Sequence, residues 1–418
     1  MRVINRDIYL KQIIAGRENG LIKIITGIRR GGKSFLLFRL YYKYLIESGV
    51  ADDHIVRVAF DDWDFRHLTR PDAFMDYLKE CIKDEERYYV LLDEVQLLDD
   101  FVPVLNGLLR KENLDIYVTG SNSRFLSSDI ATEFRGRGDC IHVYPLSFAE
   151  YLSAVDEAVD KAWQEYYTYG GLPHITTLDS DRRKSEYLHN LYNTVYSVDV
   201  IERNRVKNVA ELNELTEIIA SSIGSPTNPR KLSNTFKSLK GKAITPYTIN
   251  RYLQNLQDAF MVEKCIRFDI KGKKYINSLA KYYFTDIGIR NAILDFRQQE
   301  ENHIMENIIY NELLIRGFNV DVGVVVYRTT DKDGKTIRKY FEVDFVANQG
   351  SQRYYIQSAF IMPTDAKERQ ESASLININD SFKKIIVVKE NIKPKRNAQG
   401  ILTIGLMDFL LNPHSLEY

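Results

Sequence analysis

Between residues 24 and 34 the chain reads Ile-Ile-Thr-Gly-Ile-Arg-Arg-Gly-Gly-Lys-Ser. An apolar run, Leu21 to Ile25, breaks into this glycine-rich loop, and the loop opens directly into an apolar helix expected from Phe35 to Ile46. Gly27-x-x-x-x-Gly32-Lys33-Ser34 has the spacing of a phosphate-binding loop. Glycine lets the backbone curl until its N–H groups point inward at phosphate oxygens. The helix that follows aims its positive end at the same place. The expected cradle is therefore Gly27, Ile28, Arg29, Arg30, Gly31, Gly32, Lys33, Ser34 and Phe35. Lys33 would reach the β- and γ-phosphates, and Ser34 would ligate Mg²⁺. The plain alternative is a glycine-rich turn with no ligand; the order strand, loop, helix speaks against it.

Asp93-Glu94 supplies the other half of such a site. It follows Tyr88 to Leu92, a short wholly apolar run of the kind buried on both faces of a parallel sheet. Carboxylates at the C-terminal edge of such a strand face the crevice where these sheets bind ligands. Asp93 would hold Mg²⁺ through water, and Glu94 would act as general base on the attacking water. A solvated acidic turn is the alternative when the pair stands by itself. Thr119, Ser121 and Asn122 follow a further apolar run and are candidates to sense the γ-phosphate or orient water, Asn122 first among them. Phe134-Arg135-Gly136-Arg137-Gly138 carries two arginines on a glycine-flexed loop. Arg137 is the preferred arginine finger, acting on the nucleotide of a neighbouring copy; a surface loop tied by ordinary ion pairs is the alternative.

These residues need elements to hold them. Strands are expected at Leu21 to Ile25, Ile55 to Phe60, Tyr88 to Leu92, Leu114 to Thr119 and Cys140 to Val143, with helices at Asp72 to Lys83 and Phe101 to Leu109 between them. That alternation predicts a parallel sheet with helices on both faces. Gly-Ile-Arg-Arg-Gly-Gly-Lys-Ser, Leu-Leu-Asp-Glu-Val-Gln (91–96), Val-Thr-Gly-Ser-Asn-Ser (118–123), Gly136-Arg137, Pro-Leu-Ser-Phe-Ala-Glu-Tyr (145–151) and Tyr169-Gly170-Gly171-Leu172-Pro173 together resemble a large prokaryotic family. These are AAA-type P-loop ATPases with a C-terminal domain of unknown function. The resemblance spans nearly the whole chain. It implies an α/β, multi-domain protein: a five-stranded nucleotide domain, a helical lid, a winged helix-turn-helix and a restriction-endonuclease-like C-terminal domain. It also implies ATP rather than GTP, and no guanine-specific Asn-Lys-x-Asp motif argues otherwise. The expected divisions are 1–147, 148–206, 207–298 and 299–418.

Downstream of residue 147 the pattern is helical to about Val206, anchored by Trp163, Tyr166 and Tyr167. Helices are then expected at Leu212 to Ile223, Lys231 to Leu239, and from Pro246, with Thr245 as N-cap. A hairpin follows, Val262 to Ile270 and Tyr275-Ile276 around Lys271-Gly272-Lys273-Lys274. Helix, helix, hairpin is a winged-helix arrangement. From Thr227 to Tyr275 there are 11 Lys/Arg against 3 acids, a difference of +8 in a chain with equal totals of 57 basic and 57 acidic residues. A locally basic winged helix is an electrostatic footprint of DNA binding; docking of a protein partner is the alternative. A helix from Asn302 to Arg316 and strands at Val320 to Tyr327, Phe341 to Val346, Tyr354 to Ala359 and Lys383 to Lys389 come next, and Leu406 to Leu411 closes the chain. The resemblance places Glu306 and Asp344 at acid positions of restriction-type nucleases, where with Glu342 they would hold a metal ion only weakly. The resemblance places Gln357-Ser358-Ala359 where active relatives keep Glu-x-Lys, so cleavage is not expected, unless a lysine from elsewhere, Lys367 first, replaces the missing one.

The zero net charge excludes a generally basic nucleic-acid coat, so any basic surface is local. Cys81, Cys140 and Cys265 show no metal or disulfide spacing, which suits a reducing cytosol. No signal-peptide core or membrane-length apolar run is read, so the expectation is a cytoplasmic ATPase with no membrane partner. Two other classes stay open: a binding module that uses ATP as a structural ligand, and an ATP-gated nuclease.

Overall fold

The computed structural model describes residues 3–120, 136–241, 244–330, 336–362 and 364–418. Asn122 and Arg135, with the rest of 121–135 and the expected hairpin tip at Asp333-Gly334, lie outside the described residues. The chain divides into two compact units. The first comprises Met1–Pro145, Leu172–Thr177 and Asp258–Phe260, and the second comprises the remainder.

In the first unit, strands β1 (Ile22–Thr26), β2 (Ile55–Ala59), β3 (Tyr88–Asp93), β4 (Leu114–Thr119) and β5 (Gly138–His142) form one sheet in the order β2-β3-β4-β1-β5. Every pairing is parallel. Alternate residues face opposite sides of a strand, so each strand feeds two cores. Ile24, Val58, Val90, Leu92, Ile116 and Val118 lie in one. Ile25, Leu91, Tyr117 and Ile141 lie in the other, against Leu36, Leu37 and Tyr41. The order brings the ends of β1 and β3 to either side of β4, which is where the glycine loop and Asp93-Glu94 are needed. The single helix expected after the loop is instead an α-helical turn, Lys33–Phe35, a π-helical stretch, Leu36–Tyr41, and a second α-helical piece, Tyr42–Glu47. A helix at Asp7–Ala15 precedes the sheet.

The apolar run that forms β1 contains a fully buried charge. Lys23 pairs with Asp115 of β4, also buried, and Tyr117 and the Glu18 backbone N–H donate to the same carboxylate at 2.6 and 3.0 Å. An ammonium inside a sheet is tolerated only when paired and hydrogen-bonded.

The second unit holds a mixed sheet of eight strands: β6 (Val262–Asp269), β7 (Lys274–Phe284), β8 (Asn319–Thr330), β9 (Thr336–Gln349), β10 (Gln352–Ala359), β11 (Lys383–Val388), β12 (Lys395–Arg396) and β13 (Leu402–Gly405). Their order is β12-β13-β11-β10-β9-β8-β6-β7. β6 and β7 are the expected hairpin, but β7 runs on to Phe284 and β6 pairs in parallel with β8 at Arg267–Asp269. The sheet therefore crosses the expected division at 298/299. Helices Val209–Ser221, Pro229–Lys240 and Pro246–Asp258 precede the hairpin. Thr245 caps the last of these, its Oγ1 accepting from the Thr248 N–H at 3.2 Å. Among the described residues no helix is long and apolar enough to cross a membrane.

Candidate active site

The loop between β1 and its helix is shaped by glycine at the positions that require it. Gly27 has φ +137°, and a Cβ there would stand 2.1 Å from the Val143 carbonyl oxygen. No side chain fits that gap, so the close approach of loop to β5 depends on glycine. Gly32 has φ +98°, and Arg30 adopts φ +65° beside it. The Ile28 side chain is buried in the core, leaving its backbone to face the loop, and Gly31 donates its N–H back to the Ile28 carbonyl at 3.1 Å. Lys33 is buried, and its Nζ donates to the carbonyls of Gly27 at 2.9 Å and Ile28 at 3.0 Å. Ser34 and Phe35 are exposed on the first helical turn, and Arg29 is half-buried.

Ser34 meets Asp93 through a side-chain hydrogen bond, so the two expected Mg²⁺ residues come together although 59 positions separate them in the chain (93 − 34). Burial pushes the Asp93 carboxyl above its ordinary range, and hydrogen bonds from Thr119 and Ser34 oppose that shift. Thr119 Oγ1 donates to Asp93 Oδ1 and accepts the Glu94 N–H at 3.1 Å. Of the polar cluster proposed after β4, Thr119 is thus in the site. Glu94 sits in the left-handed region at φ +51°, and its carboxylate accepts from the Gln96 side-chain amide. Gln96 is a contact that the residue pattern did not reveal. A hydroxyl, two carboxylates and a curled loop of N–H groups converge, which suits a triphosphate with a divalent cation.

Arg137 is exposed at the other edge of the sheet. Its carbonyl accepts from the Ile22 N–H at 2.9 Å, at the start of β1, whereas the loop leaves the far end after Thr26. Five residues of strand, about 16 Å, separate it from its own loop.

His142 ends β5 beside the loop. Its Nδ1 lies 3.2 Å from Thr26 Oγ1, and its ring packs on Tyr144 and Phe260. Burial, with Lys33 nearby, pushes its pKa down to about 4. An unfolded histidine takes its proton near pH 6.5. Between those values the unfolded chain binds more protons, so stability rises with pH across the window. Acidification from pH 6.5 to 4 is expected to cost the first unit up to about 3 kcal/mol through this residue. Urea midpoints measured against pH should show the slope, and His142→Gln should flatten it; an unchanged slope would remove His142 as its source.

The second unit gathers the acids expected of a nuclease-like domain. Lys281 of β7 contacts Glu306, Glu342 and Asp344 together. Burial disfavours its ammonium, but the three carboxylates outweigh burial and hold its pKa well above the ordinary lysine value. Ser358 donates its N–H to Asp344 Oδ2 at 2.9 Å, placing the Gln357-Ser358-Ala359 segment beside the acids. The lysine at the acids is Lys281, not Lys367: the latter pairs with Glu371 at 2.7 Å, one turn along its own helix.

A parallel sheet in the order 2-3-4-1-5, a glycine loop after β1 and an Asp-Glu pair after β3 define a P-loop fold of the AAA class. The AAA domain family matches residues 19–152, and a domain of unknown function, DUF8612, matches 160–300. An uncharacterized protein of Haemophilus influenzae is 34% identical over 98% of this chain and 99% of its own length. A second, MJ1544 of Methanocaldococcus jannaschii, is 28% identical over 89% of this chain and 81% of that one. The chain belongs to this family of AAA-domain proteins. Among solved structures it is similar to Aeropyrum pernix Orc1 in complex with DNA (13% identity, 70% of this chain and 93% of that one, TM-score 0.31). It is also similar to Saccharomyces cerevisiae Hsp104 in a casein complex (14% identity, 64% of this chain and 57% of that one, TM-score 0.33).

Proposed function

We propose that this protein is a Mg²⁺-dependent ATPase whose nucleotide state governs a DNA-binding surface in its C-terminal part. The observation that carries the ATPase reading is the meeting of Ser34, Asp93, Thr119 and Glu94 at the mouth of the glycine loop. Ser34 and Asp93 would hold Mg²⁺, and the loop N–H groups with Lys33 would hold the phosphates. Held there, Mg²⁺ would supply positive charge to offset that of the phosphates. Glu94 takes the proton from water, and Thr119 fixes the Glu94 backbone and the Asp93 carboxylate in register. Arg137 stands too far from its own loop to act there, which favours the nucleotide of a second copy and hence a homo-oligomer.

The DNA reading is supported by the helix Pro246–Asp258. One face, Ile249, Tyr252, Leu253 and Leu256, is buried. The other exposes Tyr247, Asn250, Arg251 and Gln254, residues spaced as one stripe along the helix. Asn and Gln match the adenine edge, and Arg matches guanine. Lys271, Lys273 and Lys274 are exposed on the neighbouring hairpin turn, where phosphates would be met. The double variant Lys273→Glu/Lys274→Glu is expected to weaken duplex binding on all sequences alike, by about tenfold or more at low salt, and to reduce the salt slope by about two. Electrophoretic binding at several salt concentrations checks this; parent protein that ignores DNA would leave a protein-docking role.

The C-terminal sheet is a nuclease-like domain that does not cut. Gln357 stands where an acid would hold metal, and Ala359, buried, supplies no cation to the phosphate. One reaction tests the whole reading: ATP turnover with and without plasmid DNA, in Mg²⁺. Turnover that responds to DNA while the plasmid stays intact is expected. No turnover would refute the ATPase reading, and nicked plasmid the inert nuclease.

A further inference from the structure

The carboxylates of Glu306, Glu342 and Asp344 converge on a point that a side chain of this protein already fills. Lys281 Nζ stands 2.8 Å from Glu306 Oε1, 3.0 Å from Glu342 Oε1 and 3.3 Å from Asp344 Oδ1, and its side chain is 3% exposed. We propose that the Lys281 ammonium is the resident cation of this site and that the site takes no divalent metal ion. The inference is independent of the ATPase reading.

The distances decide between the two kinds of cation. Mg²⁺ binds oxygen at about 2.0–2.1 Å and Ca²⁺ at about 2.3–2.6 Å, whereas N–H···O hydrogen bonds run to about 3.2 Å. The three acids stand 2.8, 3.0 and 3.3 Å from the ammonium, all beyond either metal radius. The chemistry also matches: an ammonium has three hydrogens and no acceptor, and it donates to Glu306 and Asp344 and forms an ion pair with Glu342. Two of the acids have a further donor. Tyr283 donates its hydroxyl to Glu306 at 2.6 Å, and the Ser358 N–H donates to Asp344 at 2.9 Å. Among the described residues no group of three or more His, Cys, Asp or Glu is arranged to hold a metal ion.

The cation is covalently part of the hairpin strand β7, while the acids come from the helix Glu301–Ile315 and from β9. The pairing ties β7 to the helix Glu301–Ile315 and to β9 of the same sheet, and chelators cannot remove it. Phosphodiester chemistry that needs a metal ion at these acids is absent for a second reason, beyond the Gln357 and Ala359 replacements.

The full-length protein and its Asp344→Asn variant should bind Mn²⁺ with the same stoichiometry in electron paramagnetic resonance titrations without nucleotide. One Mn²⁺ bound by the parent and lost in Asp344→Asn would overturn the proposal. Lys281→Ala should lower Tm by ~10 °C, because buried carboxylates lose their partner. Millimolar Ca²⁺ or Mn²⁺ should restore part of that loss and leave the parent's Tm unchanged. A Lys281→Ala protein with the parent's Tm would also overturn it. If that variant does not fold, the comparison of parent with Asp344→Asn decides.

Discussion

Glu94→Gln is expected to leave ATP binding near the parent level and to slow hydrolysis by about a hundredfold or more. Glutamine keeps the size of the side chain and one acceptor oxygen, but it cannot take a proton from water. The substitution spares the parts that hold phosphate. Glu94 is placed by its backbone, whose N–H donates to Thr119 Oγ1 at 3.1 Å, and by a left-handed φ of +51°. Neither depends on the carboxylate. Gln96, whose amide holds that carboxylate, can turn its own amide to meet the new one. Equilibrium binding of ATP and single-turnover hydrolysis separate the two effects. Hydrolysis at the parent rate would show that another group takes the proton, and loss of binding would show that Glu94 acts on the nucleotide itself.

The nucleotide half was readable in the residues because its parts are local. A strand, a glycine loop and a helix follow one another within Ile22 to Glu47, and an apolar run delivers Asp93-Glu94. What joins them is not local. The Ser34 to Asp93 bond and the Thr119 bridge exist because β4 lies between β1 and β3, and strand order is not written in any one stretch. The position of Arg137 at the far edge follows from the same register, set by Ile22 pairing with Gly138. Charge inside apolar runs misleads in a second way. Lys23 and Asp115 each sit in a strand that reads as apolar, and only their pairing across β1 and β4 makes burial tolerable. Lys281 is hidden in the sequence for both reasons. The sequence pattern marks the hairpin's second strand only at Tyr275-Ile276, whereas the strand runs on through Lys281 to Phe284. Its partners lie 25 to 63 residues further along, with no periodicity to announce them (306 − 281, 344 − 281). Lys367 follows β10 in the chain, but Thr364 caps a helix there, Asp365–Ile376, which turns Lys367 toward Glu371.

Lys33→Ala is expected to weaken ATP binding by about ten- to a hundredfold. A hydrogen bond to a charged group contributes about 1.5–3 kcal/mol, and each 1.4 kcal/mol is about a factor of ten. Alanine keeps the helix start, so the loss is of the ammonium and its stem. The geometry adds a second effect. Lys33 Nζ bonds the carbonyls of Gly27 and Ile28 at 2.9 and 3.0 Å, across the loop whose helix it begins. Those carbonyls accept from the lysine, which would let neighbouring N–H groups face bound phosphates. Without the ammonium, two buried carbonyls lose a donor and the loop loses a brace. The variant should therefore bind ADP more weakly as well as ATP, and its loop amides should exchange with solvent faster. Lys33→Met keeps the apolar stem but not the charge, so its loss of affinity should match that of Lys33→Ala if charge is the cause. ATP affinity within about twofold of the parent in both variants would show that the phosphates do not lie where Lys33 can reach them, and the assignment of this loop would fail.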